Sequence, residues 1–238
     1  MKRTGITRHT RSASFYSRHT MTAQHPPGTA ASVRWHHRWN NRRLLIELGL
    51  TLAGLALALV FYSSYLAYNE SRAGVVLDDP LLAILPVADV SVPVFALIYG
   101  GIALGIYSLL THPRSLLVAL RAYTLLIVVR IATLYVTPLA PPPDMVPLYD
   151  PLVGLGPGEI LHRDLFFSGH TSTLFLLFLT AHGRLMRTLF LLCTIGVAVM
   201  VLIQHCHYTI DVIAAPFFAY GCYRLMKGGW NGEGGVNG

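Results

Sequence analysis

The stretch LLIELGLTLAGLALALVFYSSY, residues 44–65, carries a single charge, Glu47. About 20 consecutive apolar residues in a helix cross the hydrocarbon core of a bilayer, so this run reads as a membrane span. The chain repeats the pattern. Residues 92–110, 116–136, 165–180, 189–203 and 208–226 form five more apolar runs, the third span interrupted by Arg121 and Arg130 and the sixth by Asp211 and Pro216. The expected fold is an all-α integral membrane protein, a bundle of six transmembrane helices occupying residues 44–227.

Composition points the same way. Of 238 residues, 53% are hydrophobic and 12% charged, against roughly 25% charged in a soluble domain. That balance excludes a water-soluble domain and a disordered chain. Cys193, Cys206 and Cys222 are too few and too irregularly spaced for a disulfide framework.

Residues 1–43 differ from the rest, with nine Lys and Arg, no acid and little apolar content. They are expected to form a basic, disordered tail, and the Arg-rich, acid-free composition also fits a transit peptide. Next to the first span, Trp35, Arg38, Trp39, Arg42 and Arg43 suit an interface with anionic lipid headgroups. Nucleic acid is not an expected partner, because no aromatic platform or fold signature accompanies the basic residues. Residues 228–238 are Gly-rich and expected to be flexible.

Threading six spans from a cytoplasmic tail puts fifteen of the 18 Lys and Arg on the cytoplasmic side. The other side receives Arg72, Arg163 and eight acids, among them Glu70, Asp79 and Asp164, while Arg130 lies within the membrane. This is the positive-inside asymmetry of an even number of spans, with both termini cytoplasmic.

Ionisable groups inside spans are costly and mark functional sites. Four converge on one depth near the non-cytoplasmic side: Arg130 in the third span, His170 at the start of the fourth, and His207 with Asp211 at the start of the sixth. At a spacing of four residues, the Asp211 carboxylate is expected to reach one ring nitrogen of His207. It would set the tautomer and leave the other nitrogen as nucleophile or base. Backbone N–H groups around Ser168 and Gly169, at a helix start, favour an anion, and Arg130 could clamp phosphate oxygens. A nucleophile with an orienting acid, a second histidine, an anion nest and an arginine together read as phosphoryl transfer through a phospho-histidine. Arg130 could alternatively serve an ion pair with another span. Arg121 reads most simply as a snorkelling anchor. His205-Cys206-His207 lacks the usual zinc spacing, so no metal site and no cofactor is expected.

DLFFSGHT (residues 164–171) and HYTIDV (207–212) resemble the two catalytic motifs of sphingomyelin synthases and related lipid phosphotransferases, a branch of the type 2 phosphatidic acid phosphatase (PAP2) superfamily. Residues 121–138, with Arg130 and Thr137-Pro138, are similar to that branch's third-span motif, and Leu85-Pro86 to Asp89 faintly to its first. The resemblance covers about residues 78–225. It implies a nucleophile at His207 assisted by Asp211, with His170 completing the triad as general acid. Several features depart from the superfamily phosphatases. Only Arg114-x6-Arg121 approximates their Lys-x6-Arg-Pro, Phe167 replaces the proline of Pro-Ser-Gly-His, and Met200-Val201 stands where they have Ser-Arg. His162-Arg163-Asp164 replaces the synthases' Cys-Gly-Asp. The implied activity is transfer of a phosphoryl headgroup from a glycerophospholipid to a lipid hydroxyl such as ceramide or diacylglycerol. The alternatives are a lipid phosphate phosphatase, with water as acceptor, and a non-catalytic lipid binder or transporter. Asp164, His205 and Arg121 are additional candidate site residues.

Overall fold

In the computed structural model, residues 42–148 and 162–232 are described. The expectations for the basic tail through residue 41 and for Asp150 and Glu159 lie outside them, as does the end of the Gly-rich terminus. Six α-helices account for the apolar runs: α1 (Arg42–Glu70), α2 (Ser91–Leu110), α3 (Pro113–Val136), α4 (Gly169–Thr180), α5 (Arg184–Ile203) and α6 (Thr209–Gly232). Among the described residues no named strand occurs, only an isolated parallel bridge between Val75 and Leu139. Helices α1, α2, α3 and α5 are each long and apolar enough to cross a membrane. Over the described residues the protein is therefore an all-helical membrane protein with six helices.

Of the boundaries that differ from those read in the sequence, three have a plain local cause. The fourth span was expected from residue 165, but α4 begins at Gly169, because the Ser168 side chain accepts from Thr171 N–H and caps the helix there. Residues 165–168 are instead packed under the bundle end, with Leu165, Phe167 and Ser168 buried. Helix α5 starts at Arg184 instead of 189, after Gly183, whose positive φ of 82° suits a residue without Cβ. Helix α6 continues through Gly228 to Gly232, since each residue added to an existing helix gains a hydrogen bond.

Short α4 is the hub, packed on α2, α3, α5 and α6, while α1 lies against α3 at the periphery. One core joins Val94, Phe95 and Ile98 of α2 to Leu174 of α4 and Val197 and Val201 of α5. A second joins Ala122 and Leu126 of α3 to Leu176 of α4 and Ala215 and Ala219 of α6. The alanines let backbones approach where no hydrophobic force separates helix from lipid. Only 6% of the apolar window of α1 is buried. Leu50, Leu57 and Val60 there, with Val92, Tyr107 and Phe217 elsewhere, project outward. An outer surface this apolar matches lipid, not water.

Gly101 and Gly105 of α2 form a Gly-x-x-x-Gly stripe facing α4. A Cβ at Gly101 would stand 2.6 Å from Leu174 Cδ2, and one at Gly105 2.7 Å from Leu177 Cδ2. Gly100, one residue away, meets nothing within 4 Å. Gly101→Leu is expected to force α2 off α4 and cost about 1–3 kcal/mol, whereas Gly100→Leu should be near neutral. Thermal unfolding of both variants in detergent checks this; equal midpoints would remove the stripe's structural role.

Candidate active site

Antiparallel packing brings the C-terminal turns of α3 to the starts of α4 and α6, and Arg130 lies there with only 4% of its surface exposed. A guanidinium this deep needs compensation. Its Nη2 donates to Asp164 Oδ1 at 2.8 Å and to the Asp164 carbonyl at 3.1 Å, and its Nε to the Tyr62 hydroxyl at 2.7 Å. The Tyr62 hydroxyl donates in turn to Asp164 Oδ1 at 2.8 Å. The cluster thus ties α1, α3 and the segment before α4 together. Burial pushes the Asp164 carboxyl up, but Arg130, the Tyr62 hydrogen bond and nearby His207 outweigh it and hold it below the usual carboxylate range.

One nitrogen of Arg130 remains. Nη1 is buried and has no hydrogen-bond partner among the described residues. It faces the start of α4, where a Cβ on Gly169 would come within 3.2 Å of Arg130 Cζ and 3.4 Å of Nη1. Glycine is what allows the guanidinium to sit against this helix terminus. Phe167 lies beneath it, 5.6 Å from Cζ to ring centroid, and is itself stacked on Phe218 at 4.3 Å. The first N–H groups of α4 lack intrahelical acceptors by helix geometry. With Nη1 they form a positively polarised corner, and His170 is the second residue of the helix, its ring edge-on to Phe95.

The other histidine motif is clamped to the same corner, because Ser168 N–H donates to the Asp211 carbonyl at 3.1 Å. The expected stacking of His207 and Asp211 on one helix face is replaced by another geometry. Helix α6 begins at Thr209, so His207 precedes the helix and Asp211 occupies its first turn. Asp211 Oδ2 accepts from Tyr208 N–H at 3.0 Å, as in a capping box. His207 Nδ1 stands 3.5 Å from the same oxygen, outside hydrogen-bond geometry. Asp211 is fully buried, and its Oδ1 has no partner among the described residues. Contacts of this kind often tighten only when a ligand binds.

The remaining candidates lie elsewhere. Arg121 is bound to Glu47 at 3.0 Å and to Thr51. It sits nine residues before Arg130, about 13 Å along the helix axis. His205, with a positive φ of 52°, lines a separate pocket with Asp78, Asp79, Asp144 and Tyr208. Cys206, between the two histidines, has its thiol pushed up to about 12 by burial, so it is no thiolate at neutral pH. No group of three or more potential metal ligands occurs among the described residues.

Tyr62 was not singled out in the sequence, although Tyr62-Ser63-Ser64-Tyr65 breaks the apolar pattern of the first span. Asp79 was also passed over as a site-building residue. It caps α6, accepting from Thr209 N–H at 2.6 Å and from the Thr209 hydroxyl at 2.9 Å.

Residues 163–227 match the family model described as PAP2 superfamily C-terminal. The matched segment contains Asp164, Ser168, Gly169, His170, His207 and Asp211, but not Arg130 or Tyr62. No curated protein matches the chain.

Asp164→Asn should leave the Arg130 charge buried without its counter-ion. The cost should approach the roughly 3–5 kcal/mol of a broken buried pair, reduced because the Asp164 side chain is 26% exposed. Unfolding in detergent measures it, and wild-type stability would show that the pair does not hold the bundle end.

Proposed function

We propose that this protein is a membrane lipid phosphotransferase, moving the phosphoryl headgroup of a glycerophospholipid to a lipid hydroxyl through a phospho-histidine. The observation that carries the reading is the unpartnered Arg130 Nη1 at the start of α4, with the His207–Asp211 segment clamped to the same corner. A buried cation with a spare donor, beside polarised N–H groups, is suited to a phosphate oxygen.

In the first step, His207 Nε2 attacks phosphorus and the P–O bond to glycerol breaks. His170, protonated, gives its proton to the leaving oxygen, and diacylglycerol departs. Asp211 holds the Nδ1 proton and stabilises positive charge on the ring. In the second step, neutral His170 takes the proton of the acceptor hydroxyl, whose oxygen attacks phosphorus. The P–N bond breaks and its electron pair returns to His207. Arg130 and the α4 N–H groups neutralise charge on the phosphoryl oxygens throughout. His207 and Asp211 are both buried, which supports a lipid acceptor over water, because the intermediate must wait in a dry site.

In the bilayer, the charge asymmetry of the sequence supports cytoplasmic termini and an active site on the exoplasmic, periplasmic or lumenal side. The juxtamembrane residues Trp35, Arg38, Trp39, Arg42 and Arg43 support contact with anionic headgroups on the cytoplasmic leaflet.

Product analysis in liposomes tests the reaction. Fluorescent ceramide or diacylglycerol is supplied with phosphatidylcholine and phosphatidylethanolamine, and phosphatidic acid in a separate assay. A fluorescent phospholipid is expected from wild type and none from His207→Ala. Phosphate release alone would assign water as the acceptor and make the protein a lipid phosphatase; no product from any lipid would overturn the enzyme reading. Arg130→Lys should lower kcat by about 100-fold, the loss expected when an aligned oxyanion donor is removed. Unchanged kinetics would return Arg130 to a purely structural role.

A further inference from the structure

At the end of the bundle away from His207, a pocket of about 430 Å³ opens where α3 and α5 begin and α4 and α6 end. Arg114, His182, Arg187 and Lys227 line it with Ser115 and Tyr223, and among the described residues no acid lines it. Arg114 lies sixteen residues before Arg130 on α3, and Lys227 sixteen after Asp211 on α6. Each separation is about 24 Å of helix, so this pocket is distinct from the candidate active site.

Arg187, Lys227 and His182 each have a neutral partner among the described residues. The Arg187 guanidinium lies 5.2 Å over the Phe178 ring. Lys227 Nζ donates to the Tyr223 hydroxyl at 3.0 Å. His182 Nε2 is 2.8 Å from Ser115 Oγ, and its ring stacks on His112 at 3.9 Å. Helix electrostatics sharpen the point. Neither N-cap, His112 of α3 nor Gly183 of α5, makes a side-chain cap bond, and neither first turn contains an acid. Both starts carry arginines instead, Arg114 on α3, and Arg184 and Arg187 on α5. A cation at the positive end of a helix dipole is unfavourable, and an anion beside Arg187 would offset that at the start of α5.

We infer that this pocket is a second, non-catalytic binding site for a phosphate-bearing anion. Arg114, Arg187 and Lys227 would contact the phosphate oxygens, with the N–H groups of two helix starts behind them. Basic pockets between helices at a membrane surface suit anionic phospholipid headgroups, and a free phosphate compound offers the same chemistry.

Thermal-shift titration of the full chain in phosphatidylcholine nanodiscs tests this, with ligand stabilisation read by mass action. One arm adds phosphatidic acid to the nanodisc, and the other adds inorganic pyrophosphate to the solution. The variants are Arg114→Gln/Arg187→Gln/Lys227→Gln in the pocket and, as a control of equal charge, Arg3→Gln/Arg8→Gln/Arg11→Gln in the tail. Saturable stabilisation of wild type is expected in at least one arm, weakened about tenfold or more by the pocket variant and little changed by the tail control. Response to the lipid alone identifies a headgroup site, and response to pyrophosphate alone a soluble ligand. If the triple variant does not fold, single Arg187→Gln, at an exposed position, makes the same comparison. No saturable response in either arm, or equal losses in pocket and tail variants, would overturn the inference.

Discussion

A positive charge buried in a lipid-embedded bundle must be answered from within the protein, and Arg130 sets that requirement here. Its answer comes from three places in the chain: Tyr62 of α1, Asp164 ahead of α4, and the face of Phe167. Because the guanidinium is satisfied only when these meet, it draws peripheral α1 to the bundle and fixes the segment before α4 against α3. The same placement leaves one N–H group of the arginine facing Gly169. Cohesion and the candidate chemistry therefore depend on one side chain. Its partners cover two of its nitrogens and leave the third for a ligand.

The loops at this end are organised by carboxylates acting on backbone N–H groups. Glu70 Oε1 accepts from the N–H groups of His162 and Arg163 at 2.8 and 2.7 Å. Asp89 Oδ1 accepts from Ser91 N–H at the start of α2, and Asp79 caps α6. Anions at helix starts are stabilised by the dipole. Hydrogen bonds from Thr209, Leu82 and Leu81 hold the Asp79 carboxyl below the usual range against the upward push of burial. The other end is built in reverse, with arginines at helix starts and no acid in their first turns. Acidic caps at one end and uncapped basic starts at the other make one charge polarity along the bundle.

Much of this was legible in order of residues. Six apolar runs gave six helices, because a bilayer demands length and apolarity that a one-dimensional pattern displays. The costly residues inside those runs, Arg130 and Asp211, also stood out, since polarity in a span is rare whatever surrounds it. Boundaries were less legible. Leu165 and Phe167 look like the beginning of a span, yet they are packed beneath α4, because Ser168 caps the helix after them. Tyr62 was obscured for a related reason. A tyrosine near a membrane surface has an ordinary interfacial use, and only Arg130 and Asp164 distinguish this one.

The sequence by itself determined the solvent, the apolar helices of the described bundle and the residue types available for chemistry, since these follow from composition and periodicity. Tertiary structure decided which residues share a site. Arg121 and Arg130 lie on one helix in similar surroundings of sequence, yet one is bound to Glu47 and the other faces Gly169. His205 and His207 are two residues apart and line different spaces, because the backbone turns at His205. The reason is physical. Spacing along a chain constrains neighbours only within one regular element, whereas Arg130, Asp164, Gly169 and Asp211 come from separate elements. Their distances depend on how α3, α4 and α6 pack and on the segment that leads into α4.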